Sequence, residues 1–436
     1  MLLAAFALGG GSRPDIESLI ILRPLAALAL GYAIWGMTAE PLRAHRFLLI
    51  MAAAMIGLVA IHLIPMPPLL WTGLPGRGLV VAIDAAAGLH GLWRPISLVP
   101  SGTWNALFAM LPPVACLLLM IRLNRREQEA TLMLLILLGM ASALLGLAQI
   151  SGGPASPLYF YAFASKGVDG LFANRNHHAA FLATMFPMLA AYASASRRDR
   201  LDARLRAGLA LAIGLFLVPL ILVAGSRAGI MALAVGLLSI PFLYRLPAPA
   251  SGRRLPRRLL WGGVVVAMIA IVLVTVVMGR ALAFDRLVRG AETEEVRFKA
   301  WGPILRMAAE YFPIGSGIGS FREIYRVHEP RALLDLTAFG HAHNDPLELL
   351  VTGGLPAVLL LVAAIAAYGV ASRRWWRARK AIRVDADLAG AGLWSLLILG
   401  LASVGDYPLR TPALACLFCV SVVWMVPLGP AVSRIK

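Results

Sequence analysis

Gly340-His341-Ala342-His343-Asn344-Asp345-Pro346-Leu347-Glu348 leads directly into Leu349–Ala371, an apolar run without a single charge. A helix rises about 1.5 Å per residue, so about 20 such residues cross a bilayer, and this run reads as a membrane span. The nine residues ahead of it hold two imidazoles, an amide and two carboxylates, with Glu348 on the span's threshold. Asn344 or Asp345 capping the helix, with Pro346 in its first turn, accounts for Asn-Asp-Pro. Capping does not account for His-x-His. A titratable cluster where an external loop meets a span is a site hypothesis in its own right.

Working outward, similar apolar runs recur along all 436 residues. The chain is 60% hydrophobic and 14% charged, with a mean hydropathy of +0.79. A soluble chain carries about 25% charged residues. Continuous Leu/Ala/Val runs rather than alternation exclude a barrel. The expected fold is therefore all-α, a polytopic helical membrane protein of about eleven spans (ten to twelve). They are placed near 18–37, 47–65, 103–121, 130–150, 177–195, 207–224, 227–244, 259–278, 347–371, 388–404 and 411–430. Residues 1–11 are too few to span and read as a surface piece or the remnant of another helix. No repeat divides the chain, so 1–436 is read as one membrane domain.

The net charge of +18 suggests nucleic acid only until its placement is inspected. The loops around 43–46, 122–126, 197–206, 245–258 and 373–383, with the tail at 434–436, hold 23 Arg and Lys. The loops of opposite parity hold seven, outside the long polar loop at 279–345. The positive-inside rule puts the first set in the cytoplasm and the 279–345 loop outside. No nucleic-acid partner is expected. Cys116, Cys416 and Cys419 fall inside apolar runs and form neither a disulfide framework nor a metal site. His341 and His343 alternate without zinc spacing, so no metal and no cofactor is expected.

This topology collects the unusual polar clusters on one, external side. Asn174-Arg175-Asn176-His177-His178 precedes a span and offers donors for sugar hydroxyls or a diphosphate; His177 and His178 read more simply as interfacial. Arg227, within Gly225-Ser226-Arg227-Ala228-Gly229, lies where a helix start and a guanidinium suit a phosphate, or where an arginine snorkels. Arg297 lies in the long loop, and Trp301–Phe312 beyond it reads as an amphipathic helix on the outer leaflet. Gly315, Gly317 and Gly319 alternate as in a backbone nest for an anion. Asp406 and Arg410 stand in a Pro-bounded turn and are expected to pair across it. Arg23, inside the first span, costs about 2.5–3.5 kcal/mol unless it snorkels or faces a cavity.

The order of these motifs resembles the O-antigen ligase/polymerase (Wzy-C) family over about residues 170–425. Ser-Arg-Ala at a helix start, Arg297 with Trp301, the Pro-x-Gly-x-Gly-x-Gly segment, His-x-His-Asn and Asp-Tyr-Pro-Leu-Arg follow one another as in that family. The resemblance implies a GT-C-like transferase in the cytoplasmic (inner) membrane with its active site facing the periplasm. Such enzymes move a glycan from a polyprenyl-diphosphate carrier to a glycan, lipid A-core or protein acceptor. By position, His343 matches the essential histidine, and Arg227 and Arg297 match the diphosphate-binding arginines. His341, Asn344, Asn174, Arg175, Asp406 and Arg410 complete the substrate-binding candidates. Pro346 departs from the aromatic residue usual there, and a family glutamate is replaced around Val351–Thr352, with Glu348 upstream.

The chemistry read from the residues agrees with that resemblance. A glycosyl diphosphate is already activated, so transfer needs charge neutralisation on the leaving group and one base. Two arginines and a histidine supply both, and direct attack inverts the anomeric carbon. A transporter or flippase of the same lipid-linked glycan is the alternative; the repeats typical of transporters are not evident.

Overall fold

The computed structural model describes residues 1–195, 200–244, 262, 299–334, 339–379 and 387–426. The expected span at 259–278 (Gly262 apart) and Arg297 lie outside them. The described chain is almost entirely helical, the sole strands among these residues being the two-residue bridge of Pro65–Met66 (β1) with Arg94–Pro95 (β2). In chain order the helices are α1 (Leu2–Leu8), α2 (Leu19–Trp35), α3 (Ala39–Ala44), α4 (Arg46–Ile61), α5 (Pro68–Trp71), α6 (Gly78–Ala86), α7 (Pro100–Ala109) and α8 (Leu111–Met120). Then come α9 (Arg125–Ser151), α10 (Arg175–Ser194), α11 (Arg200–Val223), α12 (Arg227–Leu243) and α13, which covers 299–311. Last are α14 (Phe321–His328), α15 (Asp345–Ala378), α16 (Leu388–Gly405) and α17 (Pro412–Trp424).

Among the described residues five segments are long and apolar enough to cross a membrane: Pro100–Met120, Arg125–Ser151, Ala203–Val223, Asp345–Ala378 and Leu388–Gly405. Four expected spans are shorter apolar helices, α2, α4, α12 and α17. This is a multi-pass membrane protein. The fifth expected span, α10, is buried on all sides, with nearly every residue from His177 to Ala193 inside the bundle. A helix apolar all round belongs in such a core. Gly229 and Gly236 of α12 let that helix close on it, since a Cβ at Gly236 would stand 2.8 Å from the Ala183 carbonyl oxygen.

Residues 1–11 hold a short helix rather than a loose surface piece. One side of the seven-residue α1, with Leu2, Ala5 and Phe6, is buried, and Phe6 lies 4.7 Å from Phe181 between ring centres. The chain after it is stitched down by Ala413 N–H donating to the Gly9 carbonyl and Ala173 N–H to that of Gly10, both at 3.1 Å. Arg23 does not snorkel freely; its Nη2 donates to Asn105 Oδ1 at 2.5 Å and ties α2 to α7.

The 34-residue α15 is broken at Gly354, where φ is 59° and ψ is −153°. Its interrupted backbone groups are recovered by the glycine-rich strap 313–320. Ser316 N–H donates to Val351 O (3.0 Å), Gly317 N–H to Thr352 O (2.8 Å), and Leu355 N–H to Pro313 O (2.8 Å). In a membrane protein a freed backbone group must find such a partner. Close approach demands glycine on both sides: a Cβ at Gly354 would meet Pro313 O at 2.2 Å, and one at Gly315 would meet Thr352 O at 2.5 Å. The strap is therefore not the expected anion nest. Gly315 N–H goes to Tyr311 O, Ser320 N–H to Gly317 O, and Ile318 N–H to His62 Nδ1.

Arg77 pins the strap from the other side, donating to the carbonyls of Pro75 (2.7 Å), Ile96 (2.5 Å) and Gly315 (3.2 Å) while fully buried. Burial pushes its pKa down to about 10.

The amphipathic stretch at 301–312 does form a helix, and its buried apolar stripe packs on protein. Ala300, Ile304, Met307, Ala308 and Tyr311 pack with Phe321, Ile324 and Tyr325 of α14, and with Ala342 and Val351. The stripe is consumed in seating the histidine loop on α15.

Candidate active site

Three helix ends converge where the histidine loop enters α15. Asn344 is the N-cap, its Oδ1 accepting from Leu347 N–H at 2.9 Å, and Pro346 sits in the first turn. Immediately before the cap, His343 adopts φ 49°, a left-handed conformation uncommon for a side chain. Strain of this kind persists only where neighbours impose it. Here Glu348 folds back over the helix start and takes Ala342 N–H on Oε2 (2.9 Å) and His341 Nδ1 on Oε1 (3.1 Å).

Arg410, from the turn between α16 and α17, closes that clasp. Its Nε donates to Asp345 Oδ1 at 3.0 Å, and its Nη2 lies 3.2 Å from Glu348 Oε1. Burial alone would lower the Arg410 pKa, but the Glu348 and Asp345 carboxylates more than offset this and hold it above the ordinary value. Asp406 and Arg410 thus do not pair with each other as expected; each reaches a different part of the histidine loop.

Asp406 is 1% exposed and reaches His343, its Oδ1 3.2 Å from Nδ1. The carboxylate is itself held by Asn176 Nδ2 on Oδ2 (2.7 Å) and by Tyr407 N–H on Oδ1 (3.1 Å). His177 Nε2 lies 3.9 Å from the same oxygen. The Tyr407 ring stands among three imidazoles, with centre separations of 4.4 Å to His341, 4.8 Å to His343 and 5.2 Å to His177. His343 keeps 15% of its side chain exposed while its carboxylate partner is enclosed.

The remaining expected residues are placed around this centre. Asn174 is the N-cap of α10, its Oδ1 accepting from Asn176 N–H at 2.8 Å. Arg175 follows it and lies over the loop carrying Ser165, Gly167 and Asp169. Arg227 opens α12 with an exposed side chain, behind Ser226, whose Oγ caps Gly229 N–H at 2.9 Å. Gly229 packs on Ala179 near the start of α10, which puts Arg227 at the site's end of the bundle. Arg297 is outside the described residues. Asn176, His177 and Glu348 stood in the expected clusters without a role of their own, and Tyr407 was not singled out. His177 and Asn176 share a helix start with Asn174, and Tyr407 follows Asp406, but nothing in the sequence ties 176 to 406.

A carboxylate behind Nδ1 fixes the imidazole tautomer and leaves Nε2 as the basic nitrogen. Such a pair can accept a proton from a hydroxyl. Among the described residues no three His, Cys, Asp or Glu side chains are disposed to hold a metal ion.

Residues 209–362 match the family model Wzy_C, described as O-Antigen ligase. The match takes in His343 and the strap but stops short of Asp406 and Arg410. No curated protein matches the chain.

Proposed function

From the match of residues 209–362 to that family model we propose that the chain is a glycosyltransferase of the O-antigen ligase/polymerase family, using a polyprenyl-diphosphate-linked glycan as donor. The acceptor is the hydroxyl of a glycan or of lipid A-core. The reaction takes place at the outer, periplasmic face of the cytoplasmic membrane, the side from which the arginine-rich short loops are absent. The observation that carries this reading is the His343–Asp406 pair: a partly exposed imidazole backed at 3.2 Å by a buried carboxylate.

In the proposed step the acceptor O–H approaches Nε2 of His343, which takes the proton. The acceptor oxygen bonds to C1 of the donor sugar as the C1–O bond to the diphosphate breaks with inversion. The leaving diphosphate carries away the electron pair. Arg227 and Arg297 bind its oxygens and neutralise the developing charge. Asp406 stabilises the imidazolium; His341 and Arg410 hold the loop in which His343 stands.

The test is direct: purified protein is incubated with a polyprenyl-diphosphate glycan and, separately, lipid A-core and free glycan acceptors. A glycosylated product from one of them is expected, and its identity names the branch of the family. Donor moved across proteoliposomes with no product from either acceptor would instead make the chain a transporter.

A further inference from the structure

We infer that residues 64–93, between α4 and α7, are seated in the hydrocarbon of the bilayer leaflet on the histidine side. The segment falls almost wholly between the expected spans at 47–65 and 103–121, and its surface does not fit water. From Gly78 to Trp93 not one residue is buried, yet α6 is Gly-Leu-Val-Val-Ala-Ile-Asp-Ala-Ala, apolar but for Asp84. Leu69 is 87% exposed, Trp93 65%, and Leu79 and Ile83 56% each. Soluble surfaces do not gather so much contiguous apolar area without a covering partner. A helix apolar all round is either in a protein core or in lipid, and this one is not in a core.

The polar groups behave as lipid requires. Arg77 is buried against three carbonyls, and Asp84 is paired with Arg94 through both oxygens, at 2.5 and 2.9 Å. Thr72 Oγ1 donates to Pro68 O (2.9 Å), and Trp71 Nε1 to Pro95 O (2.7 Å). The end of α6 is closed internally as well, with Leu89 N–H on Asp84 O at 2.8 Å. These donors find partners within the protein, as immersion requires, while His90 and Trp93 keep exposed side chains.

Lipid rather than a protein is the occupant because the surface continues that of the flanking apolar helices. Ile61 at the end of α4 is 52% exposed, and Trp104 and Phe108 of α7 are 49% and 45% exposed. At about 1.5 Å per residue, nine-residue α6 is about 14 Å long, close to the depth of one leaflet and far short of a span. The segment lies on the histidine side because Arg77 bonds Gly315, whose strap bonds the break in α15.

Nitroxide labels at Ile83→Cys and Leu69→Cys test this in the full chain reconstituted in phosphatidylcholine–phosphatidylglycerol vesicles, with Cys116, Cys416 and Cys419 replaced by Ala. Collisions with dissolved oxygen should exceed those with a water-soluble nickel chelate several-fold, and the order should reverse at Glu323→Cys on α14. Nickel-dominated collisions at positions 83 and 69 would put the segment in water. Protection from both reagents would mean that a protein surface covers it. Either result overturns the inference. If the cysteine-free background fails to fold, Trp93→Phe in the native chain serves instead. Quenching of tryptophan emission by brominated lipid should drop by the Trp93 share; unchanged quenching overturns the inference.

Discussion

His341 and His343 stand two residues apart in one loop, and each turns Nδ1 toward a carboxylate only 2% exposed. The resemblance ends there. Glu348 is seven residues from His341, in the first turns of the helix that the loop enters. It also holds Ala342 N–H and meets Arg410. Asp406 comes from another inter-helix turn 63 residues later, and Asn176 of a third helix holds it in place. The first pair is a local clasp that shapes the loop. The second exists only when α10, α15 and the α16–α17 turn are assembled. Chemistry assigned to the second pair is therefore conditional on the whole bundle, whereas the first pair serves that assembly.

The widest separation between the two pairs is expected on replacing the histidines themselves. Removing a positioned base typically costs about 10²–10⁴ in rate, so His343→Ala should nearly stop transfer while donor binding persists. His341→Ala should lose far less. Equal losses, or lost binding in His343→Ala, would erase the distinction drawn between them.

The carboxylates should divide the other way. Breaking a buried ion pair by removing one partner costs about 3–5 kcal/mol, so Glu348→Ala should lower the thermal midpoint strongly in detergent. Glu348→Gln, which keeps an acceptor for Ala342 N–H, should recover much of it. A Glu348→Ala protein as stable as wild type would show that the clasp contributes nothing.

Asp406→Asn should leave most of the fold intact and act on the reaction, because an amide orients the imidazole poorly. Loss of an outer partner of this kind typically costs about 10–100-fold, read as kcat at saturating donor. A change confined to KM would make Asp406 a binding residue.

Arg227, outside both pairs, has the smallest expected effect. If it grips a diphosphate with its planar fork, Lys cannot replace it. One charge-assisted bond of roughly 1.5–3 kcal/mol predicts at least about tenfold weaker donor use in Arg227→Lys. Wild-type turnover would show that the side chain only snorkels.

Much of this was legible in the sequence because the signals are local. Apolar run lengths located most helices, and Asn344 and Asn174 announced the starts of α15 and α10 as caps. The pairing of Asp406 with His343 and Asn176 was not legible, since contacts separated by 63 and 230 residues leave no periodic trace. Alternating glycines at 315, 317 and 319 permit both a nest and a strap. The strap arose because the break at Gly354 leaves Val351 and Thr352 carbonyls without partners. Amphipathicity at 301–312 likewise gave a helix but not its cover, which is protein. An arginine in a short loop counted only toward topology, and nothing local distinguished Arg77 as a buried pin.

The pH profile of transfer addresses the central assignment most directly. A base must be neutral to accept the acceptor's proton, so wild-type kcat/KM should fall as pH drops and the imidazole takes up a proton. In His343→Ala the residual transfer should lose that dependence and become flat across the same interval. Residual transfer in His343→Ala that keeps the wild-type pH dependence would contradict the account, since another group would then be taking the proton.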